Sequence, residues 1–268
     1  MPFDITCSIV LYHTDISELN SIVDTLLKSE LNLKIFLIDN SKTNILRNAV
    51  VSDSVEYIFN NKNVGYGAGH NIAIKRAYGL SKLHLVINAD IAFDPIILAK
   101  GFNYIVDNDD VIMLSPQIVS NDGDLQHFCR LLPTPFDLVV RRFVPDIFVK
   151  SFKHRLDRYL LLDKDYSKPM VVPNLPGCFM LVKTDVLNQI GGFDENFFMY
   201  VEDVDLTRRL HQQGKTLYYP EIKITHGLAR GSYKFSKLLI YHIKSAIYYF
   251  NKWGWFNDKQ RELINRKL

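Results

Sequence analysis

The chain has 268 residues, 47% of them hydrophobic and 23% charged, with a formal net charge of +3. This length supports one large domain or two small ones around a substantial core, and the balance is that of an ordinary globular protein rather than a disordered or fibrous one. Three widely spaced cysteines, Cys7, Cys129 and Cys178, form no metal-type pair and argue against a disulfide framework, which points to a reducing compartment.

In chain order, Thr6 to Tyr12 reads as a buried strand, and Ile16 to Ser29 has helical spacing at Leu19, Ile22, Val23, Leu26 and Leu27. Lys34 to Ile38 is a second strand, closing on Asp39-Asn40-Ser41, and Val55 to Ile58 is a third. A helix is expected over Asn71 to Tyr78, a fourth strand over His84 to Ile87 and a helix over Pro95 to Val106. A fifth strand covers Val111 to Leu114. Strands alternating with helices imply right-handed βαβ units around a mainly parallel sheet, an α/β class in which ligands bind beyond the carboxyl ends of the strands.

After Ser115 the pattern loosens. Arg141 to Leu162 is basic and apolar, with Arg141, Arg142, Lys150, Lys153, Arg155 and Arg158 among Phe143, Phe148, Phe152 and Leu156. Pro173 to Val182 returns to strand character, the run at Glu202 opens a helix ending near Gly214, and Thr216 to Tyr219 and Ile222 to Thr225 read as two short strands. The tail from Phe235 to Phe250 places apolar residues at 235, 239, 243, 246, 247 and 250 on one helical face. From His226 onward there are nine Lys/Arg against two Asp/Glu, a basic aromatic tail on a weakly acidic body. With Trp253 and Trp255 beside its lysines, that tail suits either a membrane interface or a helix packed on the domain with a solvated basic face. No secretory leader and no bilayer-spanning apolar stretch is visible, so the expected location is cytoplasmic, at the inner face of the plasma membrane.

Several polar clusters carry candidate chemistry. Phe198 to Leu206 sets Glu202, Asp203 and Asp205 behind an aromatic group. Such carboxylates either favour a helix N-terminus or, with pKa values raised by burial and repulsion, accept a proton from a hydroxyl. The glycine-rich Asn63-Val64-Gly65-Tyr66-Gly67-Ala68-Gly69-His70-Asn71 is either a turn or a backbone lying close to a ligand. Its position after the third strand is wrong for a dinucleotide fingerprint. Asp39 either closes an Asx-turn or bonds a pyrimidine base or ribose hydroxyl. Asp90, in Asn88-Ala89-Asp90, either caps a turn or holds a hard divalent cation with His226, a set suited to Mg²⁺ or Mn²⁺.

The order of these pieces resembles glycosyltransferase family 2, the inverting transferases of GT-A fold. Within it they are most similar to bacterial rhamnosyltransferases that build O-antigen and related polysaccharides. The resemblance spans roughly residues 5–230. It rests on Ile38-Asp39-Asn40-Ser41, the glycine run, Asn88-Ala89-Asp90, Gly177-Cys178-Phe179-Met180-Leu181, Gly191-Gly192-Phe193-Asp194-Glu195, Phe197 to Leu206, and His226. It implies a Rossmann-like sheet flanked by helices over residues 1–230, with a nucleotide-binding half (1–114), an acceptor half (115–230) and a helical tail (231–268). It also implies a nucleotide-sugar donor, dTDP-rhamnose first and UDP-hexoses next, contacted by Tyr12, Asp39, Asn40, Asn63, Gly65, Tyr66, Gly67, Asn71, Asn88, Ala89, Asp90 and Gly177. Asp90 and His226 would hold the metal, Asp203 would be the catalytic base with Glu202 beside it, and Asp205 would be structural. Asn88 and Ala89 depart from the Asp and Pro usual in that motif. The implied acceptor is a saccharide or a polyprenyl-diphosphate-linked saccharide, and no nucleic acid is involved. A nucleotidyltransferase and a non-catalytic sugar-binding module are the competing readings; the first lacks its triphosphate loop at Leu11-Tyr12-His13-Thr14-Asp15.

Overall fold

Apolar runs alternating with amphipathic segments build a single sheet covered by helices on both faces. The computed structural model describes residues 1–138, 152–227 and 237–268. In chain order these give β1 (Phe3–Leu11), α1 (Ile16–Leu27), β2 (Leu33–Asp39), β3 (Val55–Phe59), α2 (Tyr66–Ala77), β4 (Ser81–Ile87), β5 (Ile91–Phe93), α3 (Ile96–Asp107) and β6 (Val111–Val119). There follow α4 (Lys153–Tyr159), β7 (Met170–Val171), β8 (Phe179–Lys183), α5 (Thr184–Gln189), α6 (Glu202–His211), β9 (Lys215–His226), α7 (Lys237–Trp253) and α8 (Lys259–Arg266).

The strands lie in the order β3-β2-β1-β4-β8-β6-β9-β5, with β7 paired to β9. The β3-β2-β1-β4 half is parallel. β8 runs antiparallel to both β4 and β6, and β9 returns parallel to β6, so the whole sheet is mixed. The carboxyl ends of β1, β2, β4, β6 and β9 therefore share one edge, where a ligand crevice is expected. β9 is one strand across the expected 216–219 and 222–225 pair, because a register shift between Pro116 and Gln117 of its neighbour absorbs the irregularity.

β1 is buried on both faces, as a strand inside a parallel layer must be. Ile5, Cys7, Ile9 and Leu11 join a core with Leu19, Ile22 and Leu26 of α1 and Leu98 and Phe102 of α3. On the other face Ile74 of α2, Leu187 of α5 and Leu206 and Leu210 of α6 pack over Val86, Met180 and Val182. Thr6 and Ser8 point into this second layer and are satisfied there. Ser8 Oγ lies 2.7 Å from His70 Nδ1 and 2.9 Å from His84 Nε2, and Thr6 Oγ1 lies 2.8 Å from His84 Nδ1. Burial holds both imidazoles below the usual histidine range, so the chain of hydrogen bonds is uncharged at neutral pH.

The tail packs onto the body. Tyr249 and Phe250 of α7 share a core with Phe197 and Val201. Arg208 of α6 is fully buried and donates to both oxygens of Asp258, at 2.7 and 2.8 Å. Its guanidinium lies 4.0 Å from the Trp253 ring centroid. A buried pair of this kind is costly to break because one charge is left without its partner. Asp258→Asn is expected to lower stability by about 3–5 kcal/mol, seen as a lower urea midpoint at unchanged slope.

Candidate active site

The site forms where five segments meet at the carboxyl edge of the sheet. α2 begins inside the glycine run, five residues before the helix expected from Asn71. Two glycines in a helix cost about 1 kcal/mol each relative to alanine, and here the space explains them. A Cβ at Gly67 would lie 2.8 Å from Phe193 Cβ, and one at Gly69 would lie 2.8 Å from Val10 Cγ2. Gly65 has φ 96°, and a Cβ there would stand 2.5 Å from the Phe198 carbonyl. The run thus seats α2 against β1 and against the segment leading to the acidic cluster.

That segment is strained. Tyr200 and Val201 both adopt left-handed backbone, at φ 68° and 67°. For a β-branched residue this is a true outlier, and such positions cost about 1–3 kcal/mol each and need the surroundings to hold them. The Tyr66 N–H donates to Phe198 O at 3.0 Å, and Ser245 Oγ of α7 donates to Met199 O at 2.8 Å. The turn opens α6 with Glu202, Asp203 and Asp205 in its first turn.

These three carboxylates have separate fates. Asp205 is fully buried; it accepts from Arg209 Nε at 2.8 Å and Trp253 Nε1 at 2.7 Å, and pairs with Lys252 Nζ at 2.8 Å. Asp203 Oδ2 accepts from the Gly177 N–H at 3.1 Å and Oδ1 from the Val204 N–H at 2.9 Å. Glu202 is buried, and its Oε2 has no hydrogen-bond partner among the described residues. Burial, then the charge of Asp203, pushes Glu202 up to about 8. Burial also raises Asp203, against the opposing effect of the Val204 and Gly177 N–H groups and of Arg130. Both carboxyls are thus raised as a pair, and the two N–H groups favour Asp203 over Glu202 as the hydrogen-bond acceptor facing the cleft.

The cleft encloses about 430 Å³ and is lined by Tyr66, Asn88, Gly177, Glu202, Asp203 and His226, among others. The Tyr66 hydroxyl lies 2.9 Å from Asn88 Oδ1 and 2.8 Å from Gly177 O. At the rim, Asp90 follows β4 and His226 ends β9, brought side by side because Ile91 pairs with His226. Asp90 Oδ2 is 3.3 Å from His226 Nε2. Burial works against charge on His226, but the bond and charge of Asp90, with a contribution from Cys178, outweigh it and push His226 up to about 10. The 3.3 Å spacing is close to the edge of about 3 Å between neighbouring ligands of an octahedral ion with bonds of about 2.1 Å. No group of three or more His, Cys, Asp or Glu suited to a metal occurs among the described residues. An ion at this pair would have to displace the His226 proton and would take its other ligands from phosphate and water, as Mg²⁺ commonly does.

Other expected donor contacts are occupied within the protein. Asp39 is fully buried, forms the Asx-turn with the Ser41 N–H at 2.8 Å and accepts from Tyr57 Oη at 2.5 Å. Asn40, also buried, donates to Gly65 O and accepts from Asn60, and Asn63 accepts from the Gly65 N–H. Asn71 donates to Phe193 O and Glu195 Oε1 and accepts from the Phe193 N–H. Asp39, Asn40 and Asn71 thus build the floor of the site, with their polar atoms engaged inside the protein and, for Asp39, in the Asx-turn expected of it. Tyr12 is half exposed at the end of β1, and Ala89 is partly buried between Asn88 and Asp90. Arg130 is a cleft cation that sequence reasoning missed; it sits in an aperiodic loop after β6, where no pattern marks it. In the basic stretch, Arg141, Arg142, Lys150, Phe143 and Phe148 lie outside the described residues, as do Phe235 and the side chain of Lys237 in the tail. Trp253 points inward to Asp205, so it is not a surface anchor.

The family described as Glycosyl transferase family 2 matches residues 8–191, a span that holds Asp39, the glycine run, Asp90 and Gly177 and stops before Glu202. The chain is 29% identical over 209 residues to rhamnosyltransferase WbbL of Escherichia coli K12, covering 76% of this chain and 74% of that protein. It is 35% identical over 98 residues to the N-acetylglucosaminyl-diphospho-decaprenol L-rhamnosyltransferase of Mycobacterium tuberculosis H37Rv, covering 35% of this chain and 32% of that one. Among solved structures it resembles GalNAc-T7 with UDP, GalNAc and Mn²⁺, at TM-score 0.62 and 15% identity over 84% of this chain and 43% of that one. It also resembles the mannosyltransferase PcManGT from Pyrobaculum calidifontis with GDP-Man and Mn²⁺, at TM-score 0.60 and 15% identity over 92% of this chain and 65% of that one. The chain thus spans less than two thirds of either solved neighbour. With a matched family span covering most of the sheet and a mixed α/β layer shared with these transferases, the chain belongs to glycosyl transferase family 2 and carries the GT-A fold.

Proposed function

We propose that this protein is an inverting glycosyltransferase that moves rhamnose from dTDP-rhamnose to a saccharide carried on a lipid diphosphate, with Asp203 as catalytic base. The observation that carries the reading is the placement of Asp203, held by the Gly177 and Val204 N–H groups on the wall of the cleft that Asn88, Arg130 and His226 also line. Asp203 takes the proton from an acceptor hydroxyl as the hydroxyl oxygen bonds to the anomeric carbon. The bond from that carbon to the diphosphate oxygen breaks on the opposite face, and the nucleoside diphosphate leaves with the electron pair. Asp90 and His226 are the residues to hold Mg²⁺ or Mn²⁺, which when bound would offset charge on the leaving diphosphate. Arg130 adds a fixed positive charge in the same cleft.

The rhamnosyl donor rests on the names of the relatives, as does the lipid-diphosphate acceptor; a UDP-hexose is the second donor. Contact with a membrane face is supported by the outer side of α7, where Ile240, Ile243 and Ile247 are exposed one turn apart, and by Phe256, which is 78% exposed. No helix among the described residues is long and apolar enough to cross a membrane.

Asp203→Asn is expected to keep the thermal shift given by dTDP-rhamnose with Mg²⁺ and to lower kcat by about 10²–10⁴-fold; transfer at the wild-type rate would overturn the assignment. Because Asp203 is raised, the acid limb of kcat/KM should lie above the ordinary aspartate range of about 4. Glu202 binds its proton more tightly folded than unfolded, so stability is lost as pH rises from its ordinary value of 4.5 through about 8. Glu202→Gln should not suffer that loss, and its Tm should exceed that of the wild type at pH 9 while the two converge near pH 4.

A further inference from the structure

Next to the catalytic cleft lies a second, cationic one. It encloses about 450 Å³ between the 131–137 turn, α4 and α8, and four guanidiniums, Arg155, Arg158, Arg261 and Arg266, face two carboxylates, Asp137 and Glu262. Leu131, Leu132 and Tyr159 form an apolar wall.

The arginines are not equivalent. Arg261 is 3% exposed and is fixed by the carbonyls of Pro133 and Trp255, each at 3.2 Å. Arg155 is oriented by Asp137 at 3.0 Å and Thr134 at 2.9 Å, and lies 4.2 Å from the Phe136 ring centroid. Arg266 has only an exposed contact with Glu262 at 3.8 Å, which holds it weakly. Arg158 is exposed and makes no ion pair among the described residues. Two anchored guanidiniums and two exposed ones surround the recess, their charge offset in part by Asp137, by Glu262 and by Asp258 at 4.0 Å from Arg261, and guanidinium groups bind phosphoryl oxygens bidentately.

An apolar groove of about 160 Å³ adjoins the recess, lined by Pro135, Leu138, Ile243, Ile247, Phe250 and Trp255. The two share a partition, because Thr134 and Phe256 face the cationic cleft where Pro135 and Trp255 face the groove. Both also border the catalytic cleft, the first through Tyr159 and the second through Leu138 and His242. The three recesses therefore meet at common walls.

We propose that the cleft of Arg155, Arg158, Arg261 and Arg266 seats the diphosphate of a lipid-linked acceptor, with the first part of its hydrocarbon chain in the groove of Leu138, Ile243 and Ile247. This rests on the transferase reading above and locates acceptor recognition outside the carboxylate cleft. A free nucleotide would gain nothing from the groove, and a flat bilayer charge would not reach the recessed Arg261.

The test uses the full chain with vesicles of neutral phosphatidylcholine doped with a polyprenyl diphosphate or, at equal surface charge, with phosphatidylglycerol. Co-flotation should favour the polyprenyl diphosphate by at least tenfold. The Arg158→Ala/Arg266→Ala variant, altered only at exposed side chains, should lose at least tenfold of that binding. Its thermal shift with dTDP-rhamnose and its slow donor hydrolysis should match the wild type. Equal binding to both vesicle types would show that the surface reads bilayer charge, and unchanged binding by the variant would place the phosphate elsewhere; either result overturns the proposal. If instead the wild type binds the lipid but no nucleotide sugar, the transferase reading fails while the lipid site stands.

Discussion

Asp205 is the contact on which the arrangement of the site depends. A fully buried carboxylate is tolerable only when paired and hydrogen-bonded, and Asp205 meets that requirement with partners from two places. Arg209 comes from its own helix, and Lys252 and Trp253 come from α7. Lys252 reaches at the same time to Asp194, at 2.7 Å, in the loop that Asn71 holds against α2. One lysine thus ties three elements around the left-handed turn at Tyr200 and Val201. Without such ties a turn costing a few kcal/mol would relax, and Asp203, two residues beyond it, would leave the Gly177 N–H that holds its carboxylate.

The chemistry of the cleft follows from unequal treatment of adjacent groups. Asp203 receives two backbone N–H groups and the field of the α6 N-terminus. Glu202 receives burial and an unpartnered oxygen. Burial makes both carboxylates costly to ionise, and what separates them is the pair of N–H groups that Asp203 has and the Glu202 Oε2 lacks.

Much of this was legible in the sequence, for identifiable reasons. β1, β2 and β4 announce themselves as apolar runs because strands inside a parallel layer are buried on both faces, whereas the three-residue β5 is too short to mark itself and was not expected. Other features were not legible. The start of α2 was set late because glycines read as a turn locally, while the packing of Gly67 on Phe193 and Gly69 on Val10 is a tertiary fact. The Asx-turn of Asp39 was legible because its partner is two residues away, while its bond from Tyr57 and the partners of Asn40 and Asn71, Gly65 and Phe193, were not, being distant in sequence. Arg130 carries no pattern at all. In the tail, periodicity found the helix but not which face turns inward: Tyr249 and Phe250 are buried while Ile243 and Ile247 of the same stripe are exposed.

The dependence of the catalytic turn on α7 also sets an order of events in synthesis. Domains form from the N-terminus as the chain emerges at about 5–20 residues per second, and the parallel half of the sheet needs nothing beyond β4. The turn at Val201 comes after the strands of that half, and Trp253, its tie through Asp205, is 48 residues beyond Asp205. For the seconds in between, the sheet can exist with its donor edge formed and its carboxylates unset. The carboxylates of the cleft would thus take their places only when α7 docks on α6, well after the strands beneath them are complete.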